Sequence, residues 1–360
     1  MRIVIGCGGT GGHISPALAI ADVVRANDKK AQIEFVGGEK GMEGHLVPAA
    51  GYPIKLLHVQ GLSRSLSPKN LGVLWEMRRA VAQVREWLRA ARPDMVIGTG
   101  GYACYPTLRA AVSLGIPTAV HESNATPGLA VRRLARQVDR VWVCFAQTAS
   151  ALPKGTHVLT VGNPVRRISS LPHKRQAEAV HVLSFGGSLG ADALNLAVLS
   201  LMEAERELPY VCHLHATGKA RYADALTEFE RRGLQQCDRF ALVPFIEDMP
   251  QRMATADLVI CRAGAMSISE IAALGKAAVL VPSPNVTGDH QYKNARLLAD
   301  ANAALLVEER NLAEGALSHA ALMLLHDAGE RERLARAVGA FATPDADRLI
   351  YEDIRRLVGK

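Results

Sequence analysis

No uncharged apolar run in the 360-residue chain approaches the roughly 18 residues that a membrane-spanning helix needs. The first apolar stretch, Ile3 to Ile5, is short and runs into glycine, so no secretory leader is expected. The cysteines (Cys7, Cys104, Cys144, Cys212, Cys237 and Cys261) are scattered, with no C-x-x-C and no paired histidine spacing. That spacing argues against zinc or a disulfide framework and for reduced thiols. Aromatic residues make up 5% and no nucleic-acid motif is present, which sets nucleic acid aside as a partner. The net charge of +7 is then left to an anionic membrane surface or a phosphorylated substrate.

What the chain does have, at its start, is glycine. Gly6, Gly8, Gly9, Gly11 and Gly12 follow the strand Arg2-IVI, and an amphipathic helix runs from there to about Val24. Glycine lets backbone N–H groups approach an anion, and a helix N-terminus adds partial positive charge. His13 is the titratable group at the mouth of this loop. Gly6, Gly8 and Gly11 also satisfy G-x-G-x-x-G, with Glu39 after the next strand as a ribose partner, although the spacing exceeds the usual roughly 20 residues.

Short apolar strands alternate with helical stretches along the whole chain, which predicts parallel sheets covered by helices. One series comprises Arg2-IVIG, Ile33-EFVG, Ile54-KLLHV, Met95-VIGTG, Thr118-AVHE and Val141-WVC; the second comprises Val180-HVLSFGG, Tyr210-VCHLHA, Phe240-ALVPF, Leu258-VICRAG and Ala277-AVLVP. The expected architecture is α/β, with two doubly wound Rossmann-like domains facing across a cleft. Residues 1–161 form the first domain, 162–179 a linker rich in basic residues, and 180–344 the second. Gly186-GSLGADALN repeats in the second half what Gly8-GTGGH does in the first, with Ser188 as a hydroxyl donor.

Segments that carry chemistry fall at expected strand ends: Gly100-GY, His121-ESNATPG, Gly162-NPVR, Pro244-FIEDM, Cys261-RAGAMSISEIAALG and Asp289-HQYKNA. In the fifth, Gly264 and Ala265 leave room for a phosphate at a helix start, Ser267 offers a hydroxyl, Arg262 can pair with phosphate oxygens, and Glu270 can accept from ribose hydroxyls. A helix cap, with Ser267 as cap and Glu270 at the third helical position, is compatible with that reading. Gln291 and Asn294 suit sugar hydroxyls, or else mark a helix start capped by Asp289. None of these segments carries an Asp-x-Asp pair.

In order and spacing, GGTGGH, MEGHLVP, GGY, HESN, GNPVR, GGSLGA, CRAGA with SE, and DHQ resemble the MurG family over essentially the whole chain. The resemblance implies a GT-B glycosyltransferase with an N-terminal acceptor domain, a C-terminal nucleotide-sugar domain and a last helix (345–360) returning to the first. It implies transfer of N-acetylglucosamine from UDP-N-acetylglucosamine to the 4-hydroxyl of a polyprenyl-diphosphate-linked muramyl-pentapeptide. Other two-domain UDP-N-acetylglucosamine enzymes, such as a 2-epimerase, or a non-catalytic nucleotide-sugar binder are the alternatives. By the same resemblance, Thr10, Gly11 and Gly12 border the diphosphate and sugar, and Asn124 contacts the N-acetylglucosamine. Arg166 and Ser188 hold the nucleotide, and Ile246 meets the uracil through its backbone. Ala265, Met266, Ser267, Ile268, Ser269 and Glu270 span phosphate and ribose, and Gln291 binds sugar hydroxyls. Ser123 departs from the family, which commonly has glutamine there.

An inverting displacement needs a base for the hydroxyl and an electrostatic partner for the departing UDP. His13 is the first candidate for the base and Glu122 the second; His13 acting only to position phosphate or acceptor is the competing role. A helix dipole and Arg262 can meet the diphosphate, so no metal or other cofactor is expected. From Leu62 to Pro93, Arg64, Lys69, Arg78, Arg79, Arg85, Arg89 and Arg92 outnumber Glu76 and Glu86. Leu74, Met77, Val81, Val84 and Leu88 form a helical core stripe, and Trp75 and Trp87 fall off it. Those two rings beside arginines are either an interfacial contact for an anionic membrane or side chains packed on neighbouring loops. The resemblance places the protein peripherally on the cytoplasmic face of the bacterial inner membrane.

Overall fold

The computed structural model describes residues 1–9, 11–59, 69–165, 179–187 and 190–359. The chain divides into two units: Met1–Val165 together with Thr343–Lys360, and Arg166–Ala342. Thr10, Arg64, Arg166, Ser188 and the side chains of Lys69 and Leu74 lie outside the described residues.

In the first unit, β1 (Arg2–Gly6), α1 (Gly11–Asn27), β2 (Gln32–Gly38), α2 (Glu43–Ala49), β3 (Ile54–Leu57), α3 (Lys69–Ala91), β4 (Met95–Gly98), α4 (Cys104–Ser113), β5 (Thr118–Glu122), α5 (Leu129–Leu134), β6 (Arg140–Val143) and β7 (Val158–Thr160) follow in order. The second holds β8 (Val180–Phe185), α6 (Asp192–Glu205), β9 (Val211–Ala216), α7 (Tyr222–Arg231), β10 (Phe240–Val243), α8 (Met249–Thr255), β11 (Leu258–Cys261), α9 (Ala265–Leu274), β12 (Ala277–Leu280), α10 (His290–Asp300), β13 (Leu305–Leu306), α11 (Ala316–His326) and α12 (Ala328–Gly339). A last helix, α13 (Ala346–Leu357), belongs to the first unit.

Both sheets are parallel throughout, in the orders β3-β2-β1-β4-β5-β6-β7 and β10-β9-β8-β11-β12-β13. Strands covered on both faces have to be apolar along their whole length. Ile3, Val4 and Ile5 of β1, and Leu258 to Cys261 of β11, are accordingly buried without alternation. The strand order reverses at β1 in one sheet and at β8 in the other, and the crevice beyond strand C-termini at such a reversal is where open α/β sheets bind ligands. In this way the topology selects the loops after β1 and β4, and those after β8 and β11.

Residues 162–165, expected to open the linker, are part of the first unit. The Gly162 carbonyl accepts from His121 Nε2 at 3.0 Å, and Asn163 Nδ2 donates to Cys144 Sγ at 3.1 Å. Helix α13 packs on α1, with Ile350 and Ile354 entering the core of Ile3, Ile5 and Phe35. Its Asp353 is 2% exposed, and its Oδ2 accepts from Trp142 Nε1 at 2.8 Å and Arg140 Nε at 3.0 Å, which ties the helix to β6. The chain's Asp-x-Asp triplet, Asp345-Ala346-Asp347, opens this helix, and Asp345 pairs with Arg348 at 3.3 Å.

Of the expected stripe along α3, Val84 and Leu88 are buried with Val81 packed beside them, and Ala80 and Ala91 join them, whereas Met77 is only partly buried. The two tryptophans separate: Trp87 packs against that core with the Lys55 ammonium 5.7 Å from its ring, whereas Trp75 is 62% exposed with the Arg79 guanidinium 5.6 Å away. Among the described residues, no helix is long and apolar enough to cross a membrane.

Candidate active site

The first unit's site is built around β1's end, and its glycines turn out to serve an anion that belongs to the protein. Glu43, at the start of α2, is fully buried. Its Oε1 accepts from the Gly38 N–H at 2.7 Å and its Oε2 from the Gly9 N–H at 3.1 Å. A Cβ on Gly8 would come within 2.8 Å of Oε1, and one on Gly37 or Gly41 would collide with the same side chain. The expectation that the loop N–H groups all face a ligand is therefore corrected at Gly9, whose N–H is taken by Glu43. Cys7 and Tyr102 flank this carboxylate; burial first, and its negative charge second, push both groups' pKa values up. Gly11 and Gly12 open the first turn of α1, where backbone N–H groups have no intrahelical partner, and a Cβ on Gly11 would meet open space.

His13 sits at the third position of α1, partly buried. Its Nδ1 lies 3.2 Å from the Gly8 carbonyl oxygen, which can only accept, so Nδ1 carries the proton and Nε2 is the basic nitrogen of the neutral ring. The Thr99 hydroxyl donates to the His13 carbonyl at 2.7 Å. Gly100 and Gly101 after β4 have φ of +98° and +80°, a backbone that L side chains rarely adopt. A Cβ on Gly100 would lie 2.6 Å from His13 Cδ2, and one on Gly101 would strike the Gly8 carbonyl. The GGY segment is thus the socket for the ring and for the carbonyl that orients it.

Beyond β5, Glu122 is 5% exposed and spends both carboxylate oxygens on its own loop. Oε1 accepts from Asn124 N and Nδ2, each at 3.0 Å, and Oε2 from Gly128 N at 2.7 Å. Burial raises its pKa, and these bonds partly offset the rise. Glu122 fixes Asn124 in place, a geometry that suits an orienting group better than a base. His121 donates through Nε2 to Gly162, and its Nδ1 accepts from the Ser123 hydroxyl at 3.3 Å; burial lowers its pKa to about 4. Ser123 is buried, so this departure from the family faces inward, not toward an acceptor.

In the second unit the Gly186–Gly190 turn precedes α6, and the loop after β11 leads into α9. Helix α9 begins at Ala265 with Gly264 as its N-cap. Ser267 is therefore in the first turn and Glu270 deeper in the helix, which overturns the capping arrangement expected from S-x-x-E. The first-turn N–H groups of Ala265, Met266 and Ser267 are what this helix end offers an anion; Ile268 is buried, and the Ser269 hydroxyl turns back to the Ala265 carbonyl at 3.0 Å. Glu270 is mostly enclosed, and burial pushes its pKa up to about 7.

Arg262 is corrected by the structure. Its Nη1 donates to the Val281 and Pro282 carbonyls at 3.2 Å each and its Nη2 pairs with Glu309, so the guanidinium braces the end of β12 instead of presenting itself to a phosphate. Asn294 is likewise fully buried, donating to the Ala263 carbonyl at 3.3 Å, which places it behind the loop and not at a sugar. Gln291 Oε1 accepts from the Ser283 N–H at 2.8 Å. Asp289 precedes α10 in a left-handed conformation (φ +55°) with no side-chain cap bond. Ile246 is buried, while its neighbour Phe245 is exposed with Lys219 Nζ 5.3 Å from the ring. Glu39, the ribose partner of the dinucleotide reading, instead pairs with His58 at 2.8 Å.

Glu43 and Glu309 were not legible as parts of this machinery. Glu43 stands in the MEGHLVP segment, and the only sequence signal for it is the glycine at positions 37, 38 and 41 that makes space for its side chain.

Comparison with known proteins identifies the family. Residues 3–143 match the glycosyltransferase family 28 N-terminal domain, and residues 181–350 the glycosyltransferase family 28 C-terminal domain. The chain is 38% identical over 370 residues to the UDP-N-acetylglucosamine--N-acetylmuramyl-(pentapeptide) pyrophosphoryl-undecaprenol N-acetylglucosamine transferase of Desulforudis audaxviator, covering 100% of this chain and 99% of the relative. The crystal structure of Acinetobacter baumannii MurG superposes with a TM-score of 0.77 at 28% identity, covering 99% of each chain. A UDP-N-acetylglucosamine 2-epimerase from Neisseria meningitidis, with a TM-score of 0.67 at 12% identity over 99% of this chain and 100% of that one, shares the fold alone.

Proposed function

The chain belongs to the MurG family of GT-B glycosyltransferases, and on that premise we propose that it moves N-acetylglucosamine from UDP-N-acetylglucosamine to the 4-hydroxyl of the lipid-linked muramyl-pentapeptide, with His13 as the base. The observation that carries the choice of base is the Gly8 carbonyl at His13 Nδ1, which makes Nε2 the proton acceptor. As the acceptor oxygen bonds to the anomeric carbon, its proton passes to His13 Nε2 and the bond from that carbon to the diphosphate breaks. The configuration inverts and UDP leaves. The negative charge that develops on the diphosphate is met by the first turn of α9. Glu270 takes the ribose hydroxyls, the backbone at Ile246 the uracil, and Asn124, oriented by Glu122, the sugar. Gln291 supports the donor side through its hold on Ser283.

The lipid acceptor accounts for the basic, Trp75-bearing face of α3. We place the protein peripherally on the anionic cytoplasmic face of the inner membrane, with Trp75 and not the packed Trp87 as the interfacial ring. Incubation with UDP-N-acetylglucosamine and a lipid-linked muramyl-pentapeptide analogue tests the reaction. UDP and disaccharide must appear together and only when the acceptor is present, and UDP release without acceptor overturns it. Vesicle co-sedimentation tests the surface: Trp75→Ala weakens binding to anionic vesicles, and unchanged binding sinks the assignment.

A further inference from the structure

We propose that Glu43 is a positioning residue for His13, acting on the imidazole through the peptide unit that joins Gly8 to Gly9. The inference rests on His13 being the base. That one peptide is held at both ends: its N–H donates to Glu43 Oε2 at 3.1 Å and its carbonyl accepts from His13 Nδ1 at 3.2 Å. Nothing in this loop frees the peptide to turn over. Gly101 leaves no space beside the Gly8 carbonyl, and the second carboxylate oxygen is anchored on the Gly38 N–H at 2.7 Å. Hydrogen bonds in series polarise one another, so a carboxylate on the N–H makes the carbonyl a stronger acceptor for the imidazole N–H.

Two consequences follow for the reaction. The carbonyl fixes the ring in the Nδ1–H tautomer, the role that a directly bonded carboxylate plays in a hydrolase triad. The relay also opposes a local handicap. His13 lies in the first turn of α1, where the helix dipole disfavours the imidazolium that forms when the base takes its proton. A buried carboxylate one peptide away offsets that field. The titratable groups that flank it, Cys7 and Tyr102, are neutral as thiol and phenol and supply no competing positive charge. The buried Glu43 is thus explained by the ring it serves and not by a ligand it binds.

The test is Glu43→Gln, which keeps the shape of the side chain but replaces the charge with an amide, together with the imidazole 15N shifts of His13, assigned against His13→Ala. In the unaltered protein, His13 reports a protonated Nδ1 and an unprotonated Nε2. The Gln variant raises the Nε2–H population, lowers kcat about tenfold and leaves KM for UDP-N-acetylglucosamine within about twofold. In a His13→Ala background the same change costs nothing further. An Nε2–H tautomer in the unaltered protein overturns the relay whether or not the variant folds, and so does an equal loss from Glu43→Gln with and without His13. If instead His13→Ala keeps its kcat, the base assignment fails, while the tautomer shift still decides the coupling.

Discussion

Each unit of this enzyme contains a glutamate wired to a histidine, and the two arrangements differ in what they can reach. In the second unit, Glu205 Oε2 lies 2.7 Å from His213 Nδ1, and His213 Nε2 lies 2.7 Å from the Ser184 hydroxyl. By residue type and distance this is an orienting acid, a base and a nucleophile. All three are sealed between the sheet and α6, with Ser184 and Glu205 fully buried and His213 1% exposed. The chain of bonds continues inward. His215 Nδ1 lies 2.8 Å from the Ser184 hydroxyl and 3.1 Å from the Ser184 carbonyl, and its Nε2 lies 3.1 Å from Asn195 Oδ1, with burial and the neighbouring His213 holding its pKa down to about 3. In the first unit, Glu43 is just as deeply buried, but its line of bonds ends on a partly exposed ring at the C-terminal end of β1, in the strand-order reversal. On our reading the better-formed triad is structural and the looser pair chemical, because access to substrate and not hydrogen-bond geometry separates them.

The largest effect expected from breaking either arrangement is His13→Ala, which lowers kcat about 10²–10⁴-fold, the usual contribution of a general base, while the thermal midpoint stays within a degree or two (a prediction from its edge position). Steady-state assay and a melting curve check it; a kcat within a few-fold of the unaltered enzyme refutes it. Glu205→Ala does the opposite. It breaks a buried pair and costs about 3–5 kcal/mol of stability, read as a lower urea midpoint, with kcat of the folded fraction retained. Ser184→Ala comes next: it strands two imidazole nitrogens and costs about 1–3 kcal/mol, and kcat again is kept. A serine-directed phosphonofluoridate that labelled Ser184 would show the second network to be reachable after all.

The same contrast explains what could be seen from the residues alone. Strands such as Ile3 to Ile5 and Leu258 to Cys261 announce themselves because a parallel sheet covered on both faces tolerates only apolar side chains. The edge strands β7 and β13 escaped because they are three and two residues long and carry no periodic signal. Glycine clustering after β1 did not reveal that the Gly9 N–H serves Glu43, since a sequence shows that space is needed but not what fills it. Arg262 looked like a phosphate ligand because its partner Glu309 lies 47 residues further along the chain, beyond any local pattern. The start of α9 fell at Ala265 and not beyond Ser267 because Gly264 already adopts the extended conformation of a cap. The setting of His13 (strand end, glycine, helix start) was legible because it is local.

Glu270, a mostly enclosed carboxylate, falls between the two cases and gives the smallest effect. Burial raises its pKa to about 7, so folding takes up a proton between the ordinary carboxylate range and neutrality. Its contribution to stability is therefore greatest at low pH and is lost as pH rises toward and through about 7. Binding has the opposite slope if the ionised form accepts from ribose hydroxyls: KM for UDP-N-acetylglucosamine rises as pH falls below neutrality. Glu270→Gln removes both slopes. It raises the thermal midpoint at pH 8 relative to the unaltered protein and raises KM about tenfold, the loss of a hydrogen bond to a charged group. Melting curves and donor titrations at pH 6 and pH 8 check this. A variant whose KM is unchanged at pH 8 would move Glu270 to the structural side of the comparison, beside Glu205.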